Sequence, residues 1–316
     1  MSHAGHAHTG HAHGAAASRE DEPRLVAALA LLLTLMAAEV TVGVLAHSLA
    51  LLSDAGHMLT DAAALGFSLL ALRLAARPAR GSLTFGFRRA EILSAQANGV
   101  TLLVLAAFIV YEAVSRLVHP PHVHAVLVLA LASIGAIVNL VAVSILAPAD
   151  RRSMNLEGSF QHVLTDLYGF LGTALAACVI LATGFQRADP IVSLLIAGLM
   201  TRSGLALVKA SGRVFLEAAP EELDPQEIGR ALVDQPGVIE VHDLHVWEVT
   251  SGFPALSAHV LVGAEADCHA ARREMEAMLH ERYGLDHTTL QVDHEGSGLL
   301  TIAPAADQTA PSAPPA

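Results

Sequence analysis

The sequence has few of the residues from which thiol-based structures are built. Among its 316 residues, Cys178 and Cys268 are the only cysteines. One of them lies inside an apolar run, and the other directly precedes His269. Two such residues support neither a disulfide framework nor a four-thiolate zinc site. Metal chemistry in this chain would therefore use histidine and carboxylate side chains, and the 18 histidines are the compositional feature that needs an explanation.

Charged residues are also scarce. They make up 15% of the chain against 53% for hydrophobic residues, and the mean hydropathy of +0.51 is too apolar for an ordinary soluble protein of this length. Acidic residues outnumber basic ones by 30 to 18, and the resulting net charge of −12 is opposite in sign to that of a nucleic-acid-binding surface. We therefore expect a protein of the lipid bilayer that has no nucleic-acid partner.

Six apolar runs are each long enough to cross a hydrocarbon layer, which takes roughly 20 helical residues. They cover residues 25–47, 51–76, 92–117, 123–147, 156–183 and 191–208. This pattern predicts an all-α six-helix membrane bundle over residues 23–210, preceded by a histidine-rich disordered tail at residues 1–22. The polar residues within the runs include Glu39, Asn98 and Asn139, and we expect these three to form hydrogen bonds between helices.

Arginines mark the orientation of the bundle. They flank the second-to-third and fourth-to-fifth connections, at Arg73, Arg77, Arg80, Arg88, Arg89, Arg151 and Arg152. The opposite side carries only Arg116 and Arg187. Because basic loops remain in the cytosol, we expect a multi-pass protein of the cell (inner) membrane with both termini in the cytoplasm.

The last third of the chain has the pattern of a water-soluble domain. Residues 211–316 hold 5 basic and 18 acidic residues. Hydrophobic periodicity predicts a helix, two strands, a helix and a strand at 224–234, 238–249, 255–262, 268–283 and 288–292. We expect a cytoplasmic αββαβ domain of the α+β, ferredoxin-like class over residues 211–296. A disordered tail rich in alanine and proline would follow at residues 297–316.

Two apolar runs contain the same arrangement of ionisable residues. His57 and Asp61 lie four residues apart in the second run, and His162 and Asp166 repeat that spacing in the fifth. Residues four apart share one face of a helix. With a rise of about 1.5 Å per residue, both pairs lie roughly 9 to 15 Å inside their runs, so antiparallel helices would bring them together near the bilayer midplane.

Two imidazoles and two carboxylates at that depth form a donor set that suits a divalent ion, and Zn²⁺ better than Mg²⁺ or Ca²⁺. Ionisable residues inside membranes are costly and usually functional. The alternative is a pair of structural histidine–aspartate contacts within the bundle. The duplication of the motif on two helices favours the metal site.

Four segments of the chain resemble the cation diffusion facilitator family, and in particular its bacterial zinc/cadmium exporters. The segments are SLALLSDAGHMLTD (48–61), TFGFRRAEIL (84–93), HVLTD (162–166) and VHDLHVWEVTSG (241–252). The resemblance implies a homodimer with six helices per subunit and a cytoplasmic αββαβ domain. It also implies export of a divalent metal in exchange for protons, through a transport site at His57, Asp61, His162 and Asp166.

The same resemblance implies two further properties of the metal sites. Histidine at position 57 is associated in the family with a preference for Zn²⁺ over Cd²⁺. Some members bind a metal in the loop before the third helix, but residues 80–87 contain neither histidine nor aspartate, so we expect no metal site there.

In the cytoplasmic domain, the family's metal ligands match His245 or His242, His259, His287 and Asp293, and His269 matches a bridging position in some members. Regular strand alternation would place His245 and Trp247 on one face and His242 on the other, so one site should not use both histidines. The alternative is that these are surface histidines that bind no metal. Zn²⁺ would thus be both the substrate and a regulatory ligand, and no organic cofactor is expected.

Metal ligation requires neutral histidine and ionised aspartate, so protons and metal compete for the site. This competition would couple zinc export to proton entry as the bundle alternates between its inward-open and outward-open states. Two other classes of protein remain open. An intramembrane zinc enzyme would keep an open coordination position and a nearby base, and a metal sensor would bind metal without transporting it.

Overall fold

A computed structural model describes residues 13–45, 49–119, 125–149 and 153–295. The side chains at positions 13–20, 39, 42, 43, 45, 49–57 and 60 lie outside that description. The chain forms two compact units. The first comprises residues 1–220 together with 247–254, and the second comprises residues 221–246 together with 255–316.

Six long helices make up most of the described part of the first unit. They are α1 (His13–Leu45), α2 (Leu49–Ala75), α3 (Ala90–Val118), α4 (Ala125–Leu146), α5 (Met154–Thr183) and α6 (Ala188–Phe215), and each contains one of the six predicted apolar runs or nearly all of it. Within the described residues, α3, α4, α5 and α6 are long and apolar enough to cross a membrane. That all six helices cross it stays a prediction.

The ends of two helices differ from the sequence-based boundaries. Helix α1 begins at His13, so the predicted disorder of residues 13–22 is wrong. Alanines at positions 15–17 favour the helix, and the Asp21 carboxylate pairs with Arg24 one turn later. Helix α6 continues past residue 210 to Phe215. Residues 1–12 and 297–316, where the two disordered tails are predicted, lie outside the described residues.

The helices of the first unit pack mainly in pairs, α1 with α2, α3 with α6 and α4 with α5. One buried cluster joins α1, α2, α4 and α5, and includes Leu25, Leu65, Leu146 and Val163. A separate cluster joins α3 and α6 through Leu102, Ala106, Ala197, Met200 and Leu207. The polar side chains of α2 and α5 described below lie beside the first of these clusters.

Glycines allow α3 and α6 to approach closely. A Cβ atom at Gly204 would lie 2.9 Å from the backbone oxygen of Gly99, and one at Gly99 would lie 3.1 Å from the oxygen of Gly204. Such distances leave no room for a methyl group, because a backbone atom cannot rotate away. Small residues at the crossing point therefore set the distance between the two helices, as is common in membrane bundles.

The second unit and the 247–254 segment contain the predicted order of elements: α7 (Pro225–Val233), β1 (Val238–Thr250), β2 (Phe253–Val262), α8 (Cys268–Tyr283) and β3 (His287–His294). The three strands form one sheet in the order β1-β2-β3. Strand β2 runs parallel to β3, with Ala255 opposite His287, His259 opposite Gln291 and Leu261 opposite Asp293. The assignment to the ferredoxin-like class stays a prediction.

Aspartates begin both helices of the second unit. The Asp224 carboxylate accepts a hydrogen bond from the backbone N–H of Gln226 at the start of α7. The Asp267 carboxylate accepts from the N–H groups of His269 and Ala270 at the start of α8. The hydrogen bond from Ala270, followed by that from His269, lowers the pKa of the Asp267 carboxyl. Both caps satisfy N–H groups that a helix leaves without internal partners.

The Gly99–Gly204 contact leads to a stability prediction. Replacing Gly204 with alanine forces a methyl group against the Gly99 oxygen, so we expect the free energy of unfolding to fall by about 1–3 kcal/mol. Gly198→Ala in the same helix is the control, because a Cβ at that position would have no other atom within 4 Å and alanine favours the helix. Thermal unfolding in detergent measures both variants. Equal midpoints would show that the two helices are not held at this distance.

Candidate metal centres

Three of the four predicted intramembrane residues meet between α2 and α5. The Nε2 atom of His162 lies 3.1 Å from Oδ1 of Asp61 and 3.7 Å from Oδ2 of Asp166. One ligand atom from each residue lies within 4.8 Å of the other two. Helix α5 supplies two candidate ligands, His162 and Asp166, which lie one turn apart. Helix α2 supplies the third, Asp61.

This cluster is buried. The side chain of His162 is 1% exposed, that of Asp61 7% and that of Asp166 10%. The Nδ1 atom of His162 has no hydrogen-bond partner among the described residues. A structural histidine–aspartate contact needs one carboxylate, whereas here two surround a single imidazole. The second carboxylate leaves negative charge that a divalent cation would balance, and the donors fit zinc.

His57 is the fourth residue of the predicted site. It lies in α2, one helical turn before Asp61, so both belong to the same face of the helix. Its side chain lies outside the described part of the structure. The three-residue cluster is therefore observed, and the participation of His57 stays a prediction.

A buried polar network joins α2, α3 and α5. The Asn155 amide donates to the backbone oxygen of Ser68 over 2.8 Å, and the Asn98 amide donates to the Ser68 hydroxyl over 3.2 Å. The Ser68 and Ser94 hydroxyl oxygens are 3.3 Å apart. The predicted interhelical role of Asn98 is thus confirmed. Asn155 and its bond to α2 were missed, because its position at the start of a predicted span gave no sign of burial.

The other two polar residues predicted to link helices have different outcomes. The Asn139 amide donates to the backbone oxygen of Gly135 over 3.1 Å, within α4 itself. This corrects the expected interhelical bond, since a side chain four residues along can reach a carbonyl of its own helix. The side chain of Glu39 lies outside the described residues.

A second cluster of possible ligands lies on the surface of the second unit. It consists of His242, Asp243 and His259, with one ligand atom from each within 4.8 Å of the other two. The Nδ1 atom of His259 lies 3.9 Å from Oδ2 of Asp243. The ring centroids of His242 and His259 are 5.4 Å apart. Two imidazoles and one carboxylate again form a donor set that suits zinc.

Asp243 changes the expected geometry of strand β1. Its φ angle is +50°, in the left-handed region that few residues other than glycine, asparagine and aspartate adopt. Such a residue interrupts the regular alternation of side chains, as in a β-bulge. The expectation that one site does not use both His242 and His245 agrees with this cluster, which contains His242 and not His245. Of the two histidines, His242 is the one that approaches His259, and whether either binds metal stays a prediction.

The remaining predicted ligands are not part of this cluster within one chain. His287 pairs with Ala255, four residues before His259, which corresponds to roughly 13 Å along the strand. Asp293 pairs with Leu261, two residues beyond His259. His245 and His269 are exposed and belong to neither ligand cluster of the described residues. Asp243 was not predicted as a ligand. The available signal was an aspartate at the centre of the strand segment VHDLH, which indicates a bend in the backbone.

Comparison with known proteins gives a consistent result over both units. Residues 25–216 match a family model described as the cation efflux transmembrane domain, and residues 220–295 match ZT_dimer, the cytoplasmic domain of cation efflux proteins. The cadmium, cobalt and zinc/H(+)-K(+) antiporter of Bacillus subtilis is 38% identical over 257 residues, which cover 80% of this chain and 83% of that protein.

Two further relatives are matched over a similar length. The metal cation efflux system protein CzcD of Cupriavidus metallidurans is 37% identical over 86% of this chain and 87% of its own length. The zinc transporter ZitB of Escherichia coli is 38% identical over 86% of this chain and 87% of its own length.

The surface cluster predicts a role for Asp243 in metal binding. Asp243→Asn retains a residue that tolerates the left-handed backbone while removing the charge. We expect the zinc affinity of this cluster to fall at least about tenfold, with no change in thermal midpoint. Competition against a chromophoric chelator measures the affinity of the full chain, with Asp286→Asn as the control at another surface carboxylate. An unchanged affinity in Asp243→Asn would remove Asp243 from the site.

Proposed function

Because the chain belongs to the cation efflux family, we propose that it exports Zn²⁺ from the cytosol in exchange for protons. Membership of this family shows that the protein is a multi-pass membrane transporter of divalent metal cations and not an enzyme. This sets aside the intramembrane zinc enzyme. Beyond this, we infer which ion is transported, that its transport is coupled to protons, and which residues bind it.

One observation carries the proposal, namely the buried contact of Asp61, His162 and Asp166. We propose that these residues and His57 hold the transported ion, which leaves the bulk solvent on binding. Two ionised aspartates and neutral histidine nitrogens would neutralise its charge and replace its water ligands. Zinc is preferred because imidazole and carboxylate ligands in a four-coordinate arrangement suit it best, and relatives such as ZitB of Escherichia coli are named as zinc transporters.

Proton exchange follows from the protonation states that ligation requires. A proton on either histidine, or on either aspartate, removes a ligand from the ion. A site that opens to a more acidic outer side would therefore release zinc and return to the cytosol with protons. The relative from Bacillus subtilis is named as an antiporter that exchanges metal ions for H⁺ and K⁺, which supports an exchange mechanism for this chain.

We further propose that the protein is a homodimer of the cell (inner) membrane with both termini in the cytoplasm. The match to ZT_dimer supports dimerisation, and the arginine-rich loops support the orientation. His242, Asp243 and His259 would bind regulatory zinc in the cytoplasmic domain. His287, Asp293, His245 and His269 are further candidate ligands in that domain.

Zinc flux into proteoliposomes tests the intramembrane site. Asp61→Asn, His162→Gln and Asp166→Asn each remove one ligand while keeping the approximate shape, and we expect each to lower the flux at least about tenfold. His57→Gln should do the same if it is the fourth ligand. Asp189→Asn is the control, since this aspartate in α6 lies 3.7 Å from Arg116 and away from the cluster.

The outcome also separates the transporter from a metal sensor. Wild-type protein that binds zinc but gives no flux would support a sensor. Normal flux in both aspartate variants would show that the ion crosses elsewhere.

Proton coupling is tested by changing the pH gradient across the same vesicles. For protein molecules whose cytoplasmic side faces the external medium, an acidic lumen should accelerate zinc accumulation, because protons displace zinc from the site on the luminal side. A protonophore should abolish this acceleration. Reversing the gradient should slow accumulation below the rate without a gradient. Rates that are independent of the gradient would contradict proton exchange and leave zinc transport itself unaffected.

A further inference from the structure

The loop between α2 and α3, residues 76–89, is strongly basic. It contains four arginines and no acidic residue. Two of the four have partners: the Arg88 guanidinium lies 4.5 Å from the centre of the Phe253 ring, and Arg89 pairs with Glu217 over 3.3 Å. Arg77 and Arg80 are exposed, and neither side chain has a hydrogen bond or ion pair within the described residues. Two guanidinium groups are thus available to bind an anion.

The loop backbone folds back on itself around these two arginines. Successive turns are closed by hydrogen bonds from Leu83 N–H to the Arg80 oxygen and from Gly86 N–H to the Leu83 oxygen, over 3.1 and 2.9 Å. Gly86 has φ +67°, and a Cβ there would lie 3.1 Å from the Arg77 oxygen. Glycine is therefore required for this close approach.

The folded loop forms a surface pocket of about 370 Å³. Its lining residues are Arg77, Pro78, Arg80, Leu83, Gly86 and Phe87. This volume is within the range of small-ligand sites and is large enough for a phosphate group. Two arginines beside a pocket of this size favour phosphate, because a guanidinium group donates paired hydrogen bonds to phosphate oxygens.

Apolar side chains lie beside the same pocket. Leu83, Phe85 and Phe87 are each more than 40% exposed. The loop leads directly into helix α3, which begins at Ala90 and is apolar enough to cross a membrane. A soluble anion would leave these three side chains in water. A membrane surface would bury them near the acyl chains while the arginines contacted headgroups, which is the behaviour of basic amphipathic segments.

We propose that residues 76–89 bind an anionic phospholipid, with the headgroup phosphate held by Arg77 and Arg80 in the loop pocket. Leu83, Phe85 and Phe87 enter the interfacial region of the same leaflet. The site differs from both metal clusters and is independent of the ion that is transported. It also assigns a role to a loop in which the sequence predicts no metal site.

Lipid titration of the purified full chain in detergent tests this site. Phosphatidylglycerol should raise the thermal midpoint of the wild type, and phosphatidylcholine should not. In the Arg77→Gln/Arg80→Gln double variant we expect phosphatidylglycerol affinity to fall about 30-fold, since each basic residue at an anionic surface contributes about 1 kcal/mol and 1.4 kcal/mol is tenfold. Arg272→Gln/Arg273→Gln, with the same change of charge in α8, should bind like the wild type.

Inorganic phosphate separates a lipid site from a site for soluble anions. It should protect far less than phosphatidylglycerol at equal concentration, because it leaves the apolar side chains in water. Equal protection by phosphate, or normal phosphatidylglycerol binding by the double variant, would overturn the proposal. The midpoint of the double variant without lipid checks that its fold is intact.

Insertion of the apolar side chains is measured separately by fluorescence. The chain has a single tryptophan, at position 247, so Phe87→Trp in a Trp247→Phe background places one reporter at the loop. Phosphatidylglycerol with brominated acyl chains should quench this fluorescence when the protein is in vesicles. Absence of quenching would show that the loop stays in water and would overturn the assignment of the bound partner as a membrane lipid.

Discussion

The burial of one imidazole between two carboxylates constrains the rest of the membrane unit. An ionisable side chain in the centre of a bilayer costs several kcal/mol unless it has a partner, and the cluster of Asp61, His162 and Asp166 is almost completely inaccessible to solvent. Helices α2 and α5 must therefore hold these groups in register. The hydrogen bond from the Asn155 amide to the Ser68 backbone joins the same two helices about two turns away from the cluster. The buried apolar cluster that contains Leu65 and Val163 completes the connection.

The sequence was sufficient for those features that follow from helical periodicity. The spacing of His162 and Asp166 fixes both side chains to one face, and its repetition at His57 and Asp61 identified the facing helix. Features that depend on local backbone geometry were not accessible in the same way. The left-handed conformation of Asp243 inside strand β1 is one such feature, and the sequence left the choice between His242 and His245 open. Register was equally inaccessible, since the pairing of His287 with Ala255 depends on how two strands align.

The two candidate metal clusters contain similar residue types in different surroundings. In the membrane cluster the imidazole is 1% exposed, whereas the His259 side chain of the surface cluster is 43% exposed. Water and dissolved ions screen the surface ligands, so their attraction for a cation is weaker and more easily reversed. In the buried cluster the attraction is unscreened, and protonation of any ligand has a large effect. On the proposed function, the first arrangement suits tight capture followed by proton-driven release, and the second suits a sensor of cytosolic zinc.

The glycine contact between α3 and α6 has a consequence for how the bundle changes shape. Two backbones that touch at Gly99 and Gly204 cannot slide or separate without exposing both to lipid, and the apolar contacts of Leu102 and Met200 strengthen the pair. On the proposed function, we therefore expect these two helices to move together. Alternating access would then open a cavity between the α3–α6 pair and the remaining helices, which include α2 and α5 with the candidate ligands.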